Sequence, residues 1–259
     1  MAQCGAASRA WERASYHARM SRYFCHDHPD VLALETTVVD ARPGAVVLEQ
    51  SPFHPGGGGQ LADRGVVAWT AGEARVTGFE TVDGRTWHLL GGPVEPSGVV
   101  RVAVDPEFRA TQTELHTGAH VLNALVYQQF NGALLTGAQL GDDGTGRCDF
   151  DLPDVDNDRL RALEAALNDV IRQDLPVRYA WIPRDAAESQ AGLLRSRSVA
   201  PPPSPDGMIR IVEIVGLDRQ ACGGTHLTST GRSRAIRILK IDNKGRHNRR
   251  VRYGLVALA

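Results

Sequence analysis

Two pairs of metal-capable side chains, far apart in the chain, constrain this sequence more than anything else in it. His116 and His120 stand four residues apart. In a helix that spacing puts both imidazoles on one face, one turn above the other, where they can reach a single ion. Cys222 and His226 repeat the spacing around Gly223 and Gly224, glycines that let the backbone twist until thiolate and imidazole converge. Any fold that uses all four must bring a helix and a distant loop together. Three imidazoles and one thiolate form a zinc-type donor set, and the thiolate argues against magnesium or calcium. Four protein ligands describe a closed structural site, whereas a labile ligand or an expanded shell leaves a position for water or substrate. The spacing leaves both open.

The chain around these ligands changes period once. Between Val31 and Val104 it reads as six short β-branched or alternating runs, punctuated by Pro43-Gly44, Asp83-Gly84 and Gly91-Gly92-Pro93, which predicts a small barrel or sandwich. Asp105-Pro106 marks the boundary. Beyond it, Leu115, Ala119, Leu122 and Val126 form one helical stripe, with His116, His120, Asn123 and Tyr127 on the stripe beside it. A second helix is expected from Asp158 to Asp174, capped by Asp156 or Asn157, then a strand at Val177–Ile182 and a short helix near Asp185–Leu194. After a proline-dominated linker at Ala200–Pro205, three strands follow at Met208–Val215, Arg234–Ile241 and Arg249–Ala257. The fold class is therefore α+β: an N-terminal small β-barrel, then a two-layer α/β zinc-binding domain with an antiparallel sheet. The expected divisions are an extension at residues 1–21, a barrel domain at 22–106 and a metal-binding domain at 107–259.

Composition narrows the setting. No apolar run reaches the length of a membrane span and the N-terminus lacks a signal-peptide core, so a cytoplasmic protein with reduced cysteines is expected. The net charge of -1 hides an asymmetry: from Thr228 to Arg252 nine basic residues, among them Arg232, Arg234, Lys244, Arg246, Arg249 and Arg250, accompany the single acid Asp242. A basic end on a near-neutral chain points to a local polyanion contact, against the plainer reading of a charged strand edge.

Two further stretches carry polar chemistry. Gly56, Gly57, Gly58 and Gly59, stiffened by Pro55 and followed by Gln60 and Asp63, offer backbone N–H groups to an anionic or polar substrate; most glycine runs are flexible hairpin tips. Thr136–Gln139 and Arg147–Phe150 place Gln139 either against a substrate or on a strand edge. His54, His88 and His247 are solitary and read as ordinary hydrogen-bonded or surface imidazoles.

Taken together and in order, these pieces resemble a family. His116-Thr-Gly-Ala-His120, Gly137-Ala-Gln139 with Arg147-Cys-Asp-Phe150, Gly216-Leu-Asp218 leading into Cys222-Gly-Gly-Thr-His226, and Thr230-Gly231 resemble the editing domain of alanyl-tRNA synthetase and, more closely, the freestanding AlaX trans-editing proteins. Phe53-His-Pro-Gly-Gly-Gly-Gly-Gln60 with Asp63-Arg-Gly65 is similar to the glycine-rich motif of their medium-length members. The resemblance implies a zinc-dependent deacylase that acts in trans on mischarged tRNA, typically Ser-tRNA(Ala) or Gly-tRNA(Ala), as a monomer or homodimer. It implies Zn2+ held by His116, His120, Cys222 and His226, amino-acid reading by the Gly56–Gln60 loop, Gln139 beside the substrate, and acceptor-stem phosphates on the basic C-terminal strands. Thr117 and Thr225, hydroxyls next to ligands, are the candidates to orient the attacking water. Departures from the family pattern, namely Ala138, Cys148, Gly118 between the ligands and a fourth loop glycine, bear on which amino acid is accepted. They admit a threonine-like or modified threonyl ester as the alternative. A non-catalytic zinc-stabilised tRNA-binding module would share metal and basic face, while a peptide or amide hydrolase would want the Glu of HExxH, absent from this spacer.

Overall fold

The computed structural model describes residues 22–190, 192–193, 204 and 206–257. The expected N-terminal extension lies outside the described residues, as do Leu194 and most of the proline linker. No helix of the described residues is long and apolar enough to cross a membrane. The fold is α+β and divides into two compact units. One comprises residues 22–55, 63–105, 204 and 206–208; the other comprises 56–62, 106–190, 192–193 and 209–257. The tip of the glycine-rich loop, flanked in sequence by barrel residues, thus belongs to the second unit.

In the first unit, a single helical turn, α1 (Phe24–Asp27), precedes six strands: β1 (Ala33–Arg42), β2 (Ala45–Leu48), β3 (Gly65–Trp69), β4 (Gly72–Val82), β5 (Arg85–Leu90) and β6 (Val99–Val104). They close as a barrel in the order β1-β2-β5-β4-β3-β6, every neighbouring pair antiparallel, with β1 returning to β6. Alternation supplies the interior: Val46, Leu48, Val67, Val76, Val100 and Val102 point inward and are almost entirely buried.

In the second unit Pro106 opens α2 (Pro106–Gln129), its missing N–H harmless at the first helical position. β7 (Leu135–Leu140) and β8 (Thr145–Asp151) follow, then α3 (Asn157–Arg161), α4 (Leu163–Arg172), β9 (Val177–Pro183), α5 (Arg184–Ser189), β10 (Met208–Ile214), β11 (Asp218–Ala221), β12 (Ile236–Lys244) and β13 (Asn248–Leu255). Where one antiparallel sheet was expected there are two, ordered β11-β10-β9 and β12-β13-β8-β7. The expected helix from Asp158 is two short ones meeting at Ala162, with Asp156 capping the first through Asp158 N at 2.9 Å. β7, β8 and β11 were not expected as strands: their glycines, Asp and Gln hide the β pattern, and cross-strand pairing overrides that weak propensity.

Helices α2 and α4 share a core with the four-stranded sheet, built on Leu115, Leu122, Phe150, Leu163, Ile236 and Tyr253. Tyr253 donates its hydroxyl to the Leu115 carbonyl at 2.9 Å. From Glu114 to Val126 every residue of α2 is buried, so the two histidines lie inside the unit and not at the margin of a buried face, as the stripe pattern had placed them.

Candidate metal centre

The structure brings His116 and His120, both on α2, together with Cys222 and His226 from the loop after β11. Their four ligand atoms lie within 4.8 Å of one another and all four residues are buried. The loop reaches the helix because Gly224 has no side chain. A Cβ there would stand 2.0 Å from His116 Cε1 and 2.7 Å from Gln60 Oε1. Arg210, buried on β10, draws the loop closed by donating to the carbonyls of Cys222 at 3.1 Å and Gly224 at 2.9 Å.

The hydrogen bonds settle which imidazole nitrogens are available. The Thr225 backbone N–H, an unambiguous donor, meets the Gln60 amide at 2.9 Å, so that atom is Oε1. His116 Nδ1 lies 2.8 Å from the same oxygen and must carry the proton, leaving the Nε2 lone pair 3.3 Å from Cys222 Sγ. His226 follows the same logic. Thr117 Oγ1 donates to Thr113 O at 2.9 Å and accepts from Leu227 N at 3.1 Å, so it can only accept from His226 Nδ1 at 3.4 Å. His226 Nε2 is then free at 3.3 Å from the same sulfur. His120 is held differently, its Nδ1 facing the Gln220 amide nitrogen at 3.0 Å and the Asp218 carboxylate at 3.6 Å. At His116 and His226 the outer nitrogen is protonated and the lone pair turned inward, as an imidazole-bound divalent ion requires, and the donor set fits zinc chemistry.

Burial would raise the Cys222 thiol, but the surrounding imidazoles of His116, His120 and His226 outweigh it and hold the thiol well below its ordinary value. Burial alone would lower His120; the Cys222 thiolate and Asp218 reverse this and push it up to about 9. His226 is held well below its ordinary value, chiefly by burial. Cys148, in the core under the sheet, is pushed up to about 12 by burial and is an inert thiol.

The remaining candidates fall into different places. Gly56, Gly57, Gly58 and Gly59 all have positive φ, between +63° and +114°, a path that side-chain-bearing residues rarely follow. Gln60 at the end of the run has both amide atoms engaged, its Nε2 donating to Thr225 Oγ1 at 2.9 Å. Thr225 in turn shares a hydrogen bond with Thr113 Oγ1 at 2.9 Å. Thr117 and Thr225 are therefore built into the support of the cluster. Gln139 is exposed on β7, its amide oxygen taken by the Arg147 guanidinium at 3.0 and 3.2 Å. Gly118 points elsewhere: two residues from each histidine it lies on the opposite side of α2, where a Cβ would meet Ile236 Cδ1 at 2.4 Å. It is a packing notch against the sheet, on the side of α2 away from the two histidines.

The basic residues separate as well. Arg234 donates to both carboxylate oxygens of the buried Glu114, at 3.0 and 3.1 Å. Arg250 bridges to Asp149 at 2.7 and 2.8 Å, and Arg249 is buried. Arg232 is exposed, donating to Thr228 Oγ1 at 2.9 Å, and Lys244 and Arg246 are exposed at the β12–β13 turn. Sequence reasoning named Asp218 within a motif but gave it no role, and missed Gln220 and Arg210. The first two alternate on β11 just before Cys222, and a lone Arg in an apolar strand is itself a signal of a buried partner.

Comparison with known proteins then places the chain. A family profile described as the threonyl and alanyl tRNA synthetase second additional domain matches residues 209–252, from β10 through β13. An alanyl-tRNA editing protein AlaX-M of Methanosarcina barkeri is 35% identical over 219 residues, covering 82% of this chain and 88% of its own length. The chain belongs to the AlaX-M family. The AlaX-M of Saccharolobus solfataricus is 32% identical over 225 residues, covering 85% of this chain and 92% of its own. An alanine–tRNA ligase of Korarchaeum cryptofilum is 33% identical over 216 residues, 82% of this chain but only 24% of the ligase, so the chain spans about a quarter of such ligases.

Proposed function

We propose that this chain is a trans-acting aminoacyl-tRNA deacylase that hydrolyses the ester of mischarged tRNA in the cytoplasm, with Ser-tRNA(Ala) or Gly-tRNA(Ala) as substrate. The observation that carries the reading is the buried cluster of three imidazoles around one thiolate, in a chain that covers nearly the whole of its AlaX-M relatives. We read 22–106 as the barrel domain and 107–259 as the editing domain, with α2 and α4 over the four-stranded sheet as its two layers.

His116, His120, Cys222 and His226 would hold Zn2+. A zinc ion there would supply Lewis-acid polarisation of a substrate oxygen or amino group. The protein's own part is positional. Gln60 and Thr117 keep protons on the outer nitrogens of His116 and His226, Asp218 and Gln220 orient His120, and Gly224 N–H donates to Cys222 Sγ at 3.4 Å. We accordingly assign Thr117 and Thr225 to holding the cluster and not to guiding the attacking water. An ester to the terminal ribose is an activated acyl group, so orientation and a fixed electrostatic environment suffice for hydrolysis. The acceptor end of the tRNA would meet the exposed cations Arg232, Lys244 and Arg246.

The test is a panel of charged tRNAs in which amino acid and tRNA are varied separately. Seryl-tRNA(Ala) should lose its serine within minutes, alanyl-tRNA(Ala) should persist, and His116→Ala should abolish the reaction. Binding of tRNA with every ester left intact would replace this reading with that of a non-catalytic module.

A further inference from the structure

The glycine-rich loop holds two features that substrate reading leaves unexplained. Its glutamine has no polar atom to spare: Gln60 is 4% exposed, its Oε1 accepts from both His116 Nδ1 and Thr225 N, and its Nε2 donates to Thr225 Oγ1. The loop is also fastened from outside the ligand cluster. Leu140 N donates to Gly59 O at 2.8 Å, and Leu61 N donates to Oε1 of the buried Gln112, whose Nε2 donates to Gly141 O at 2.6 Å. A Cβ at Gly59 would meet Ala138 O at 2.5 Å, so the loop lies against β7 with no space between.

We propose that this loop is a clasp on the metal centre, in which Gln60 is a positioning residue that fixes His116 and the Cys222–His226 loop, so that metal retention depends on the loop being seated. The inference rests on the metal reading above and deepens it. An amide oxygen opposite Nδ1 locks the ring with Nε2 inward and raises its basicity as a ligand. The same oxygen ties Thr225, between the two loop ligands, to the helix ligand. With Gln60 occupied in this way, contact of the loop with the amino acid falls to its backbone and to the one Nε2 hydrogen not given to Thr225.

The full-length protein can test this with zinc alone, by chelator competition, and with cobalt substituted for zinc, by its visible spectrum. Gln60→Met keeps the length and removes both polar atoms; it should weaken zinc binding by about 10- to 100-fold, in the range typical for lost outer partners of ligating histidines, and alter the cobalt bands. Gln60→Glu keeps an acceptor facing His116 and Thr225 N–H and should restore both. Gly59→Ala, which unseats the loop without touching Gln60, should weaken zinc as Gln60→Met does. Gln60→Met should slow deacylation of seryl-tRNA while alanyl-tRNA still persists. Wild-type zinc affinity and an unchanged cobalt spectrum in Gln60→Met, with collapsed seryl-over-alanyl selectivity, would overturn the clasp and make Gln60 an amino-acid reader. Failure of the wild type to bind zinc would sink the metal reading itself. Zinc binding without deacylation would leave the clasp standing and remove the proposed reaction.

Discussion

Gly224 and Gly118 show how one missing side chain can mean opposite things. Both sit among the ligands in sequence, yet a Cβ at Gly224 would strike His116 Nδ1 at 2.2 Å and Cε1 at 2.0 Å, with Gln60 behind them. None of these can retreat, because the ring is held between Gln60 and Cys222 and the amide by three hydrogen bonds. Gly224→Ala is therefore expected to abolish stoichiometric zinc while leaving far-UV circular dichroism unchanged, checked by metal analysis of purified protein. At Gly118 the obstacle is Ile236 Cδ1, the far end of a flexible side chain, and Ala in mid-helix regains about 1 kcal/mol of helix propensity. The two terms nearly cancel. Gly118→Ala should shift stability by about 1 kcal/mol or less in urea titration and leave seryl-over-alanyl selectivity untouched. The cluster of His116, His120, Cys222 and His226 was legible in the sequence because metal chemistry needs particular donors at particular spacings. The direction of Gly118 was equally available from helix geometry, since two residues make a half turn. What spacing does not encode is the outer partners: Gln60 reaches His116 from 56 positions away, and nothing local ties them.

Among the elements, all six barrel strands were expected because alternating apolar runs between turn glycines and prolines leave little freedom. β7, β8 and β11 were missed because they owe their pairing to neighbours, β8 to β13 above all. One barrel residue gives the first unit a pH dependence of its own. His88 on β5 is buried between Phe53 and Phe79, its Nε2 2.7 Å from Ser51 Oγ, and burial pushes its pKa down to about 4 from 6.5. The unfolded chain therefore takes up this proton first as pH falls. Above about pH 6.5 both states are neutral and the stability is fully present; between about 6.5 and 4 it is lost progressively, on the order of 3 kcal/mol in all. The urea midpoint should drop from pH 7 to pH 4.5 more steeply in the wild type than in His88→Gln, and equal slopes would assign the acid sensitivity to other groups.

At the scale of the whole molecule, the basic C-terminal run is a case where counting charges overstates what a partner can meet. Nine cations in sequence become four kinds in space. Arg234 and Arg250 are consumed by Glu114 and Asp149. Lys240 and Arg252 face each other across β12 and β13 and share Asp242, Arg249 is buried, and Arg232, Arg237, Lys244 and Arg246 are exposed without an acidic partner among the described residues. Phosphate binding draws on cations that can shed water and counterions without first breaking an ion pair, so only the last kind should govern affinity for tRNA. Lys244→Glu with Arg246→Glu should weaken tRNA binding for every acceptor sequence alike and flatten the dependence of log affinity on log salt by about one unit per lost contact. Arg250→Ala should instead lower the denaturation midpoint, because it strands the half-buried Asp149 beside Arg147 alone, and should leave the salt slope unchanged. Filter binding across a salt series separates the two. A salt slope that falls with Arg250→Ala and not with the turn variants would move the tRNA contact from the β12–β13 turn to the face of the sheet.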